Sequence, residues 1–131
     1  MKTEKSGRLR VLVVDDEYSI ANTLAAILDM NGFEAVPIYS GEVAVENARE
    51  AGLDVLICDI ILDRANGIEV AMQIRELCPT YKIILVSGAQ ASIELLDEAS
   101  AKGFEFEVWA KPFHPDALLG RLRTLTTRED A

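Results

Sequence analysis

Asp15, Asp16 and Glu17 follow directly on four apolar residues in the stretch "VLVVDDE" at 11–17. Asp59 closes a second such run, "DVLICD" at 54–59, and Ser87 with Gly88 closes a third, "KIILVSG" at 82–88. Lys111 and Pro112 follow a fourth, "FEFEVWA" at 104–110. Carboxylates brought to about 4 Å from one another repel by roughly 4 kcal/mol per pair at an effective dielectric of 20. A hard divalent cation removes that cost, and an all-oxygen site that keeps several waters suits Mg²⁺. Lys111 brings a mobile ammonium that can pair with Asp59 or with an incoming phosphoryl oxygen. Ser87 offers a hydroxyl, and Gly88 leaves room for a bulky tetrahedral group. A carboxylate flanked by a metal, an ammonium and a hydroxyl donor is arranged for nucleophilic attack on phosphorus.

These residues meet only if the chain brings the ends of the four apolar runs together. The pattern between the runs supplies the means. Tyr18 to Met30 carries Ile20, Leu24, Ile27 and Leu28 at helical spacing, and Gly32 ends that helix. "EAVPIY" at 34–39 reads as a strand whose Pro37 places it at a sheet edge. Helices follow over 41–51, over 67–77 with Val70, Ile74 and Leu77 on one face, over 92–102 ended by Gly103, and over 115–125. The last opens on Pro115 and turns Leu118, Leu122 and Leu125 to one side. Five strands alternating with five helices predict a doubly wound α/β fold, a five-stranded parallel sheet covered on both faces. Right-handed crossovers then gather the carboxyl ends of all strands on one edge. In the flavodoxin-like order 2-1-3-4-5 the crevice opens between strands 1 and 3.

Composition excludes several function classes. The 131 residues fit one domain, half of them hydrophobic and 27% charged, an ordinary globular balance. Twenty-two acids against 13 bases give a net charge of −9, which argues against direct nucleic-acid binding. No apolar run approaches the ~20 residues of a membrane span, so no membrane insertion is expected. Cys58 and Cys78 have neither CxxC spacing nor a disulfide framework and read as free thiols in a cytoplasmic protein, Cys58 as a small core residue.

The motifs "VVDDE", "DVLICD", Gly67, "LVSG" and "KPF" stand in this order over residues 9–125, and the chain resembles a response-regulator receiver domain of two-component signalling. Each motif alone is weak; five in register are specific. The resemblance implies one receiver domain over 9–125 between tails at 1–8 and 126–131. It implies that Asp59 accepts a phosphoryl group from a phosphohistidine on a sensor histidine kinase or histidine phosphotransfer protein. Asp16 and Asp59 would ligate Mg²⁺ directly, Asp15 largely through water, and the Ile61 backbone carbonyl would complete the protein ligands. Ser87 and Lys111 would each take a phosphoryl oxygen, and the Lys111–Pro112 bond would be cis. The outcome is a signalling switch rather than a classical enzyme, acting on a downstream effector protein through a docking surface. The short "TTREDA" after the last helix leaves two expectations open, a stand-alone receiver, which Met1 favours, or a piece of a longer protein.

The chain departs from the family's pattern in three respects. Asp63 stands where a proline is usual, and Val108 where the family's switch carries Tyr or Phe; Phe106 is the candidate replacement. The last helices also lack the full charge pattern of receivers that dimerise to drive DNA-binding partners. Paired acids after a strand are often only helix N-terminal charges, Asp59 a loop cap, Ser87 a turn former and Lys111 a surface charge. Each of these readings stands alone, but their coincidence on one edge is improbable. His114 reads as a helix cap, and Trp109 and the phenylalanines at 104, 106 and 113 as packing residues. Two other classes remain: a phosphorylation-independent interaction module, and an aspartyl-nucleophile phosphohydrolase. The hydrolase would want a second acid at position 61, where this chain has Ile61.

Overall fold

The computed structural model describes residues 8–77, 79–88 and 93–126. In chain order the elements are β1 (Arg10–Val14), α1 (Tyr18–Asp29), β2 (Glu34–Ile38), α2 (Gly41–Ala51), β3 (Val55–Asp59) and α3 (Gly67–Leu77). They continue with β4 (Lys82–Ser87), α4 (Ile93–Ala101), β5 (Glu107–Ala110) and α5 (Pro115–Thr126). The strands form one parallel sheet in the order β2-β1-β3-β4-β5, as the alternating pattern predicts.

Period-2 alternation divides the apolar strands between two cores. Leu12, Val14, Leu56, Cys58, Ile83 and Leu85 face the core closed by α2 and α3. Val11, Val13, Val55, Ile57, Ile84 and Val86 face the core closed by α1 and α5. β1 and β3 are buried along their whole length, which only a sheet covered on both faces requires.

β2 forms an edge, where Pro37 was expected. Glu34 N–H bonds Leu9 O (2.8 Å) and Asp15 N–H bonds Ile38 O (3.0 Å), so Ala35 and Pro37 face outward. The Ala35 N–H is taken by Asp29 Oδ1 at 2.9 Å, and Pro37 has none to give. The edge is thereby closed to strand addition.

Several expected details are corrected. The buried side of α1 is Ala21, Ala25 and Leu28, while Ile20 is exposed and Leu24 and Ile27 are half-buried. Alanines let the helix approach the sheet closely and turn the larger residues outward. On α3, Val70 and Ile74 are buried but Leu77 is exposed. The fifth strand begins at Glu107 rather than 104: Gly103 has φ 93°, and Phe104 N–H bonds back to Ala99 O, so the chain is still turning off α4 there. Phe104 and Phe106 stack with centroids 6.0 Å apart and pack on the α2–α3 side instead. Arg10 begins β1 and is buried, bound to Asn47 Oδ1 (3.0 Å) and to the Gly52 carbonyl. Cys78, Ala89 and Ser92 lie outside the described residues.

Candidate functional site

Each candidate side chain stands where a strand ends. Asp15 lies one residue past β1, and Asp59 is the last residue of β3. Ser87 is the last of β4, and Lys111 lies one past β5. The Asp15 N–H extends the β1–β2 pairing by one bond, and its Oδ1 accepts the Glu17 N–H at 2.9 Å, which turns the chain into α1. Lys111 N–H bonds Ser87 O at 2.9 Å, tying the ends of β4 and β5. The Lys111–Pro112 bond is cis.

The carboxylates of Asp15, Asp16 and Asp59 each offer an oxygen within 4.8 Å of the others. Asp15 and Asp59 are buried, at 5% and 8% exposure. Lys111 Nζ sits 2.9 Å from Asp59 Oδ2 and 3.2 Å from Asp15 Oδ2. Burial pushes the Asp59 carboxyl above its ordinary range, and the hydrogen bond and charge of Lys111 offset part of that rise. Burial also works against the Lys111 ammonium, but its bonds to Asp59 and Asp15 outweigh this and its pKa is raised. Three carboxylates against one ammonium leave negative charge unbalanced in a half-buried place. An all-oxygen donor set with that imbalance fits a hard divalent cation.

The β3–α3 connection is folded tightly around Asp59. Ile61 and Asn66 form an isolated antiparallel bridge whose hydrogen bonds run from Gly67 N–H to Ile60 O (2.7 Å) and from Leu62 N–H to Ala65 O (3.2 Å). The N–H and carbonyl of Ile61 are therefore not used by the bridge. The N–H turns instead to Asp59 Oδ1 at 3.3 Å. At Gly67 a Cβ would stand 2.0 Å from the Asp59 carbonyl oxygen, so only glycine allows α3 to start there. The Asn66 side chain caps the helix by accepting the Ile68 N–H at 2.8 Å.

Asp15, Asp16, Asp59, Ile61, Ser87 and Lys111 thus share one edge of the sheet, as the sequence led one to expect. Glu17 is exposed and outside the carboxylate group, and Asp63 is exposed on the β3–α3 loop. The Asp15–Lys111 pair had no sequence signal, because nothing in the spacing says which acid a lysine 96 positions away will meet. Phe106 lies outside β5 and is half-buried, so it does not sit beside Val108 on a strand face. His114 does cap a helix: its Nδ1 accepts the Asp116 N–H at 3.1 Å at the start of α5.

The profile of the response regulator receiver domain matches residues 11–123. The alkaline phosphatase synthesis transcriptional regulatory protein PhoP of Bacillus subtilis is 29% identical over 126 residues, covering 92% of this chain and 50% of that protein. The chain spans about half the length of this curated relative. A CheY-like response regulator receiver domain protein from Methanospirillum hungatei superposes with a TM-score of 0.83 at 26% identity, over 94% of this chain and 98% of that one. The response regulator TrrA from Thermotoga maritima, solved in complex with Mg(2+)-BeF, gives a TM-score of 0.77 at 32% identity, over 89% and 98%. Among the described residues no helix is long and apolar enough to cross a membrane.

Proposed function

This chain belongs to the response regulator receiver domain family, and from that premise we propose that Asp59 accepts a phosphoryl group from a phosphohistidine on a sensor kinase or phosphotransfer protein. An oxygen of Asp59 attacks phosphorus, the new O–P bond forms as the P–N bond breaks, and the bond's electron pair stays on the departing imidazole. The observation that carries this reading is Lys111 Nζ held between Asp59 and Asp15 in a cluster of three carboxylates. That ammonium is in reach of the oxygen on which charge develops, and it changes partner from carboxylate to phosphoryl group without crossing the site.

Asp15, Asp16, Asp59 and the Ile61 carbonyl would hold Mg²⁺, in keeping with the Mg(2+)-BeF complex reported for TrrA. When bound, the cation neutralises the charge of the incoming phosphoryl oxygens. The Ile61 N–H steadies Asp59 from the other side, at 3.3 Å from Oδ1. Ser87 is buried at the end of β4, and its hydroxyl would donate to a phosphoryl oxygen. Repositioning Ser87 pulls on Lys111, because the Lys111 N–H is bonded to its carbonyl. A change at the site is thereby passed to the start of α5, and a docking surface for a downstream protein is switched.

The test is incubation with a small phosphodonor and Mg²⁺, read by intact mass. A stable gain of about 80 Da in wild type, absent in Asp59→Asn, supports the reading. Steady consumption of donor with no adduct would point to a hydrolase instead.

A further inference from the structure

A cleft of about 730 Å³ opens beside the carboxylate cluster, between α1, the edge strand β2, α2 and the β3–α3 loop. Its lining includes Pro37, Val43 and Leu62, and Val43 is 50% exposed. One wall is an aromatic pair: Tyr18 and Tyr39 stack with centroids 4.2 Å apart, and the Tyr39 hydroxyl is fixed to Asn22 Oδ1 at 2.5 Å. Tyr18 is 66% exposed, so a large aromatic ring stacked on Tyr39 stands open to solvent.

Charge completes the picture. Among the described residues, Asp16, Glu42 and Asp63 line the cleft against a single cation, Arg64. None of the four is in an ion pair among the described residues. Stacked aromatic faces beside Glu42 and Asp63, the two acids of the cleft that the metal cluster does not use, are the features that bind a guanidinium or ammonium next to an apolar anchor. Strand addition is excluded as the mode of binding, because the outer edge of β2 has no free N–H at Ala35 or Pro37. A second copy of this chain, with net charge −9, is disfavoured by repulsion.

We infer that this cleft is a docking site for a partner-protein segment that carries an apolar or aromatic anchor flanked by Arg or Lys. The cleft adjoins the phosphoacceptor site and shares Asp16 with it, whereas Tyr18, Tyr39, Glu42 and Asp63 belong to the cleft alone.

The test uses the full chain, ¹⁵N-labelled, titrated with the acetylated and amidated hexapeptide KRLFRK and with its acidic counterpart EELFEE. An acidic protein attracts any basic peptide, so location is the readout. KRLFRK is expected to shift amides at 39–43 and 62–65 saturably, and EELFEE to shift none. Tyr18→Ala and Glu42→Lys should each weaken KRLFRK by about three- to tenfold. Phosphoryl uptake from a small donor should be unchanged in Glu42→Lys, which separates this site from the phosphoacceptor reading. Shifts centred on another face, binding equal in both variants, or self-association of the peptide-free chain through these same amides would overturn the inference.

Discussion

Replacing Gly67 with alanine would place a methyl carbon 2.0 Å from the Asp59 carbonyl oxygen, and 2.8 Å from both its carbonyl carbon and Ile60 Cα. All three are backbone atoms, so no side chain can swing aside. Gly67 has no positive φ, and the cost is therefore one of space alone. Overpacking a core typically costs about 1–3 kcal/mol, and a clash with backbone belongs at the top of that range. For a domain of this size about 3 kcal/mol lowers Tm by roughly 10 °C. The displaced backbone is that of Asp59 itself, so phosphoryl uptake should fall along with stability. Gly120 is the control: it is exposed on α5, and a Cβ there meets nothing within 4 Å. Gly120→Ala should stabilise by about 0.5–1 kcal/mol through helix propensity and leave uptake intact. Thermal unfolding followed by circular dichroism, with intact-mass uptake on the same samples, checks both variants. A Gly67→Ala protein with wild-type Tm and uptake would mean that α3 is not seated on the Asp59 backbone.

Removing a metal ligand should separate affinity from stability. Asp16→Ala is expected to weaken Mg²⁺ binding sharply while raising the Tm of the metal-free protein, since one repelling carboxylate is gone; titration followed by Trp109 fluorescence reads the first and calorimetry the second. The phosphoryl group should be long-lived, because Ile61 and Ala89 offer no side-chain hydrogen bond to hold an attacking water. Ile61→Asn/Ala89→Glu should shed it at least about tenfold faster after donor removal, an effect of about 1.4 kcal/mol on the barrier; a wild-type half-life of seconds would defeat this argument. Glu107 is held below the ordinary carboxyl range by the hydrogen bonds of Arg121, which reach it at 2.8 to 3.1 Å. A depressed folded pKa adds stability above the ordinary Glu value of about 4.3 and loses it as pH falls through the folded value. Glu107→Gln should accordingly lower Tm at neutral pH, with a deficit that closes on acidification; a pH-independent deficit would assign it to packing.

The fold was legible because the apolar runs have strand length and the intervening stripes helical spacing. Pro37 told which strand lies at an edge. Where a run is diluted, as in "FEFEVWA", composition alone did not reveal that pairing in the sheet starts only at Glu107. The rotation of α1 was misjudged because alternation marks the larger apolar residues, whereas close approach to a sheet favours the small ones at Ala21 and Ala25. The site was legible as a set of strand ends, since topology alone gathers them. Its pairings were not: the Lys111–Asp15 bond and the Tyr18–Tyr39 wall depend on side-chain directions that spacing does not encode.

Identifying the residue that carries the phosphoryl group is the most direct test of the account. Borohydride reduces an acyl phosphate on aspartate to homoserine, which peptide mapping by mass spectrometry locates. After phosphorylation in Mg²⁺ and reduction, the account predicts homoserine at position 59 alone, and none when Lys111→Ala protein is treated for the same short time. Homoserine at position 15 or 16, or an unreduced phosphoryl group on Ser87, would contradict it.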